Sequence, residues 1–162
     1  MQGLRHVLCL LGLTAALAGC GGDDDSGGGA GAQPKADKKG AETAVRDYLR
    51  ALVAKDGEEA CAKLTPDYQR SVLEQNQEFA KKQGADSCGE LLNAVTKTSR
   101  SVTFEGEPLN ANTVDSLKLV VTVRQGGQEQ NATVTGAQGL QRYELITSDG
   151  RWLIAEIVNA GG

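Results

Sequence analysis

Histidine occurs once in this 162-residue chain, at His6, methionine once, at Met1, and tryptophan once, at Trp152. Aromatic residues make up only 4% of the chain. With one histidine placed six residues from the start, a Ser-His-Asp or Cys-His nucleophilic site has almost nothing to draw on. Transition-metal sites of the usual His/Cys kind lack ligands for the same reason, so no metal is expected. No Gly-x-x-x-x-Gly-Lys phosphate loop is present, and the glycines at 27–29 and 31 do not lead from a strand into a helix. No cofactor is expected. The formal net charge is −4, and no stripe of lysine or arginine stands out. That balance argues against nucleic acid as a partner.

What is present begins at the N-terminus. Arg5 precedes Val7 to Ala18, an apolar run of about a dozen residues, too short to span a bilayer as a helix. The run ends in Leu17-Ala18-Gly19-Cys20. This layout resembles the signal and lipobox of bacterial lipoproteins. The resemblance implies that residues 1–19 are a signal peptide removed on export. It also implies that Cys20 carries a diacylglycerol and often a further acyl chain, such as palmitate. His6, Met1 and Cys9 would leave with the signal. Two or three acyl chains suffice as an anchor, since each buried methylene contributes about 0.8 kcal/mol. The expected location is the outer face of the cell membrane, with the membrane itself as a partner through the lipid.

Residues 20–40 read as the lipidated cysteine and a flexible tether. Gly21 to Ala32 holds no apolar side chain larger than alanine and cannot build a core. A flexible stretch from Gly21 to Gly40 has an end-to-end distance of roughly 25 Å. The Asp23-Asp24-Asp25 run lacks the alternating acidic spacing and distal glutamate of a calcium loop, and is read as a solvated linker. Residues 41–162 read as one domain.

Val45, Tyr48, Leu49, Leu52 and Val53 place one apolar face on a helix from Ala41 to Lys55. A short helix over Glu58–Leu64 turns Cys61 and Leu64 inward. Thr65-Pro66 fits an N-cap followed by proline at the first helical position, opening a third helix to about Lys82 with Tyr68, Val72 and Phe79 inward. Ser87 and Glu90 form a capping box for a fourth helix through Leu91, Leu92 and Val95. Cys61 and Cys88 are an even pair in an oxidising compartment and are read as a disulfide, with two separate buried thiols as the alternative.

After Arg100 the period changes to two. Val102 and Phe104 alternate, then Leu117, Leu119, Val121 and Val123. A turn at Gly126-Gly127 and a weaker strand over Asn131–Thr135 follow. Leu140–Thr147 and Arg151–Val158 are joined by Ser148-Asp149-Gly150, a hairpin signal that allows a two-residue or a three-residue loop. The two differ by one residue, which exchanges the faces of one strand. Helices followed by a strand meander give an α+β fold.

The helix Ala44-Val45-Arg46-Asp47-Tyr48-Leu49-Arg50-Ala51-Leu52, the segment Lys55-Asp56-Gly57-Glu58-Glu59-Ala60-Cys61 and the closing Asp149-Gly150-Arg151-Trp152-Leu153-Ile154 resemble the nuclear transport factor 2-like superfamily, a cystatin-like fold. More narrowly they resemble small actinobacterial lipoproteins with an Ala-Cys segment, a second cysteine and a final Asp-Gly-Arg-Trp strand. The resemblance implies a curved antiparallel sheet wrapped around a long helix to form a cone, whose mouth holds a ligand or is filled by side chains. It includes ketosteroid isomerases, in which carboxylate and tyrosine act inside the cone.

On a two-residue turn, Tyr143 faces Glu156 on the side that carries Leu145, Trp152 and Ile154. Tyr143, Trp152 and Glu156 are therefore candidate cone-mouth contacts. Glu156 reads either as a base raised by apolar company or as a carboxylate near a strand end, in water or paired with Arg142. Tyr143 and Trp152 read either as a ligand platform or as core. No isomerase motif carries over, so no catalytic residue is assigned. Asn131-Ala132-Thr133 matches a glycosylation sequon by accident of composition. The leading expectation is a lipid-anchored extracytoplasmic domain that binds a small apolar molecule or an envelope protein without catalysis. The alternatives are a small isomerase or lyase of the ketosteroid isomerase type and an accessory module for cell-wall enzymes.

Overall fold

In a computed structural model, residues 37–126 and 129–159 are described. The signal, Cys20 and the tether up to residue 36 lie outside them, as does part of the turn expected at Gly126-Gly127. The order is α1 (Lys38–Ala54), α2 (Gly57–Ala62), α3 (Pro66–Gln75), α4 (Gln77–Gln83), α5 (Cys88–Thr98), β1 (Thr103–Phe104), β2 (Glu107–Pro108), α6 (Ala111–Ser116), β3 (Leu119–Gly126), β4 (Glu129–Gly136), β5 (Gln141–Ser148) and β6 (Arg151–Asn159). β3 to β6 form an antiparallel meander in sequence order, and β1–β2 is a separate hairpin. The α+β reading holds.

α1 begins at Lys38, inside the stretch read as tether, because the Asp37 carboxylate caps the Gly40 N–H at 2.7 Å. Its face of Ala41, Ala44, Val45, Tyr48 and Leu49 is buried, and it packs against β3, β4 and β6. The inner sheet face supplies Ala132, Val134, Tyr143, Leu145, Trp152 and Ile154 to the same core. The Arg46 guanidinium donates to the carbonyls of Val114, Asp115 and Leu117 and pairs with Glu42, so one half-buried cation satisfies the C-terminus of α6.

The helical layer is joined by the Cys61–Cys88 disulfide, with Cα atoms 6.0 Å apart. Closing a loop of that length stabilises by roughly 3.6 kcal/mol in the chain-entropy account. Thr65 and Ser87 cap α3 and α5 as expected, and Ser87–Glu90 forms a full capping box. The expected single third helix breaks at Asn76, whose side chain bonds back to the Val72 carbonyl. On α5, Leu91 and Leu92 are buried and Val95 is exposed.

α6 interrupts the region between the first strand pair and β3. Its Asn110 caps through Asn112 and Thr113, so Leu117 ends a helix and the strand starts at Leu119.

The last hairpin has a two-residue loop: Ser148 pairs with Arg151, and Asp149 and Gly150 both have positive φ. That is the primed turn whose twist suits a hairpin. Past Leu145–Ile154 the register shifts by one residue, a bulge at Ala155, and Tyr143 pairs with Ile157 while Glu144 pairs with Glu156. The bulge thus overturns the expected facing of Tyr143 and Glu156.

Candidate functional site

The three candidate residues do not share a site. Tyr143 is 1% exposed and sits between Tyr48, edge-on at 6.2 Å, and Phe104, stacked at 6.3 Å. These rings fill the space between α1 and the sheet. Burial pushes both the Tyr143 and Tyr48 phenols far above their ordinary pKa, so neither is poised to exchange a proton near neutrality.

Glu156 lies on the other face, exposed and directly opposite Glu144. Of the two settings open to a non-catalytic Glu156, water or Arg142, the structure shows the first, since Arg142 pairs with Glu144 at 2.9 Å, and Thr133 donates to Glu144 at 2.8 Å. Opposed like charges on one sheet face are mildly unfavourable. Glu156→Gln is therefore expected to keep or slightly raise the melting temperature, with a change within about 0.5 kcal/mol. A thermal melt checks this, and a drop of several degrees would show that the carboxylate has a partner in the fold.

Trp152 belongs to the core but closes one wall of a surface groove of about 460 Å³. The groove lies between the first turns of α1 and the start of β6, bounded by Asp37, Lys39, Gly40, Thr43, Ala44, Asp47, Lys63 and Gly150 to Leu153. Gly40 makes this approach possible. A Cβ there would stand 3.0 Å from both Cδ1 and Nε1 of the indole, so the ring edge lies against bare helix backbone. Among the described residues the buried indole N–H has no hydrogen-bond acceptor. Such a group carries a cost unless something from outside satisfies it.

The charges around the groove divide into two kinds. Asp47 is held by Arg50 and Lys63 by Glu59, each at 2.6 Å. Lys39 and Arg151 make no ion pair among the described residues. The groove therefore offers an apolar floor and two cations at the rim. That arrangement can hold a small, partly apolar molecule.

Among the described residues no three His, Cys, Asp or Glu side chains come together as a metal site, and no helix is long and apolar enough to cross a membrane.

Several residues that build this region carried no signal in the sequence. Gly40 read as the end of a tether, and nothing in the sequence set Arg46 apart from the other charges of its helix. Glu105, at φ 50°, accepts from the Gln138 and Leu140 N–H groups and fills the space that Gly136 leaves. It ties the β1–β2 hairpin to the β4–β5 loop.

No family model, no curated protein and no solved structure matches the chain.

Proposed function

We propose that the protein is a lipid-anchored extracytoplasmic domain that binds or interacts without catalysing a reaction. The observation that carries this reading is Leu17-Ala18-Gly19-Cys20 at the end of an apolar run too short to span a bilayer. A curved sheet closed over α1, in the manner of the nuclear transport factor 2-like cone, accords with the antiparallel meander and its shared core with α1. In this reading the cone is filled. Tyr48, Phe104 and Tyr143 occupy the interior where an isomerase would hold substrate, and the only strand carboxylate once matched to Tyr143 points the other way.

Binding then falls to the exterior, and the groove beside Trp152 is the place for a small apolar ligand. It opens at the first turn of α1, immediately after the tether. A ligand there would sit on the part of the domain nearest in sequence to the anchor. The enzyme alternative loses its support with the separation of Tyr143 from Glu156.

The anchor is tested by Cys20→Ala. The variant is expected to move from the membrane fraction to the soluble exported fraction, whereas wild type stays with the membrane. Equal membrane partitioning of the two would place the anchor elsewhere and remove the basis of the reading.

A further inference from the structure

The two edges of the main sheet are treated differently. The edge of β6 is covered: Thr65 N–H donates to the Ile154 carbonyl and Ile154 N–H to the Lys63 carbonyl, both at 2.9 Å. Farther along, the Ile157 N–H donates to the Tyr68 hydroxyl. β3, at the opposite edge, pairs only with β4 and rests its inner face on α1. Among the described residues no hydrogen bond reaches its outer edge from another element. An open strand of 8 residues is a template for a further strand unless something blunts it. β3 contains no proline, and Val120 is 57% exposed, the most exposed large hydrophobic among the described residues.

We propose that the outer edge of β3 docks an extended, acidic segment of a partner protein, which adds to the sheet as a fifth strand. The proposal rests on the reading of the chain as an interaction domain and not on the lipid anchor. Main-chain hydrogen bonds would supply the attachment and the side chains on the outer face the choice of partner.

Lys118, Val120, Thr122 and Arg124 are exposed at alternate positions, so they line one face. No acidic residue occurs from Ser116 to Gln128, in a chain whose net charge is −4. The charges also say which strand is refused. A second copy of β3 centred on Val121 and running antiparallel would set Lys118 against Arg124. A parallel copy in register would set each cation beside its own equivalent. Both arrangements are repulsive, whereas an acidic strand meets both cations favourably.

The test uses the full chain carrying Cys20→Ala, which removes the lipid site and leaves β3 untouched. The probe is a seven-residue peptide, acetylated and amidated, with glutamate at both ends and valine and threonine between. Binding is read by fluorescence anisotropy and located by amide hydrogen exchange. The expected result is saturable binding with Kd below about 1 mM, weakened by salt, with slowed exchange in β3. The same peptide with lysine ends should bind at least about ten-fold more weakly. The paired change Lys118→Glu and Arg124→Glu should reverse that preference. Each single change should remove part of it, which covers the case of a double variant that folds poorly. No binding at millimolar peptide, equal binding of both peptides, protection confined to another element, or self-association through β3 without peptide would each overturn the proposal. The peptide experiment does not depend on lipidation, so its failure leaves the anchoring reading standing, and the converse also holds.

Discussion

Trp152→Ala is expected to remove about 3–5 kcal/mol of folding stability, the usual cost of cutting a large buried aromatic to alanine. Trp152 is 6% exposed and is part of the core that α1 shares with the sheet. Its ring edge closes against Gly40 in the first turn of α1, so the loss opens a void between the helix start and β6. A domain of this size has about 5–15 kcal/mol in all. The melting temperature should therefore fall by roughly 10–20 °C. Trp152→Phe, which retains most of the apolar body, should lose much less. A Trp152→Ala protein that melts within a few degrees of wild type would show that the indole is a loose surface platform. Thermal melts by circular dichroism of the three proteins decide it.

Gly57→Ala should be comparably damaging for a different reason. Gly57 has no positive φ and sits at the first position of α2, where alanine is ordinarily the better helix former. The obstacle is contact with α5. An added Cβ would lie 2.1 Å from the Gly89 carbonyl oxygen and 2.6 Å from the Asn93 nitrogen, both backbone atoms that cannot swing aside. The Gly57 N–H also donates to the Asn93 side chain at 2.7 Å, and the Cys61–Cys88 bridge holds the two helices together. The methyl group must push apart helices that a covalent link keeps close. A loss above about 3 kcal/mol is expected, in the range of severe overpacking.

Gly84→Ala is the control. Gly84 has φ 67° and nothing within 4 Å of an added Cβ, so only backbone strain applies, about 1 kcal/mol. Denaturant unfolding of both variants separates contact from strain. Equal small losses would mean that α2 and α5 part more easily than their packing implies.

Features that rest on local chemistry were legible in the chain. Thr65 before Pro66, Ser87 with Glu90, and Asp149-Gly150 each declare a cap or a turn within four residues, and each stands where expected. The cysteine pair was legible from the count and from the compartment that the N-terminal resemblance implies. Features that rest on long-range contact were not. The bulge at Ala155 has no glycine or proline to announce it, yet it decides which face carries Glu156. Asn110 caps α6 with Thr113 where a Glu or Gln would have given the usual signature, and the short helix went unseen. Asn76 ends α3 by bonding backward through its side chain, inside a run that otherwise reads as one helix. Gly40 read as the end of a tether and Gly57 as a helix breaker, because sequence cannot show that a helix needs a bare surface for a neighbour. The same limit governed the site. Tyr143 and Trp152 each carried two readings in the sequence, ligand platform or core, and only the packing separates a ring in the interior from one on a groove.

The central claim, a domain held at a membrane by lipid on Cys20, is tested most directly by the mass of the N-terminal peptide from protein extracted from membranes. The account expects a peptide that begins at Cys20 and carries the added mass of a diacylglycerol on the thiol, with or without a further acyl chain on the amino group. An unmodified Cys20 in a chain that still contains residues 1–19, or a cleavage at another position, would contradict it.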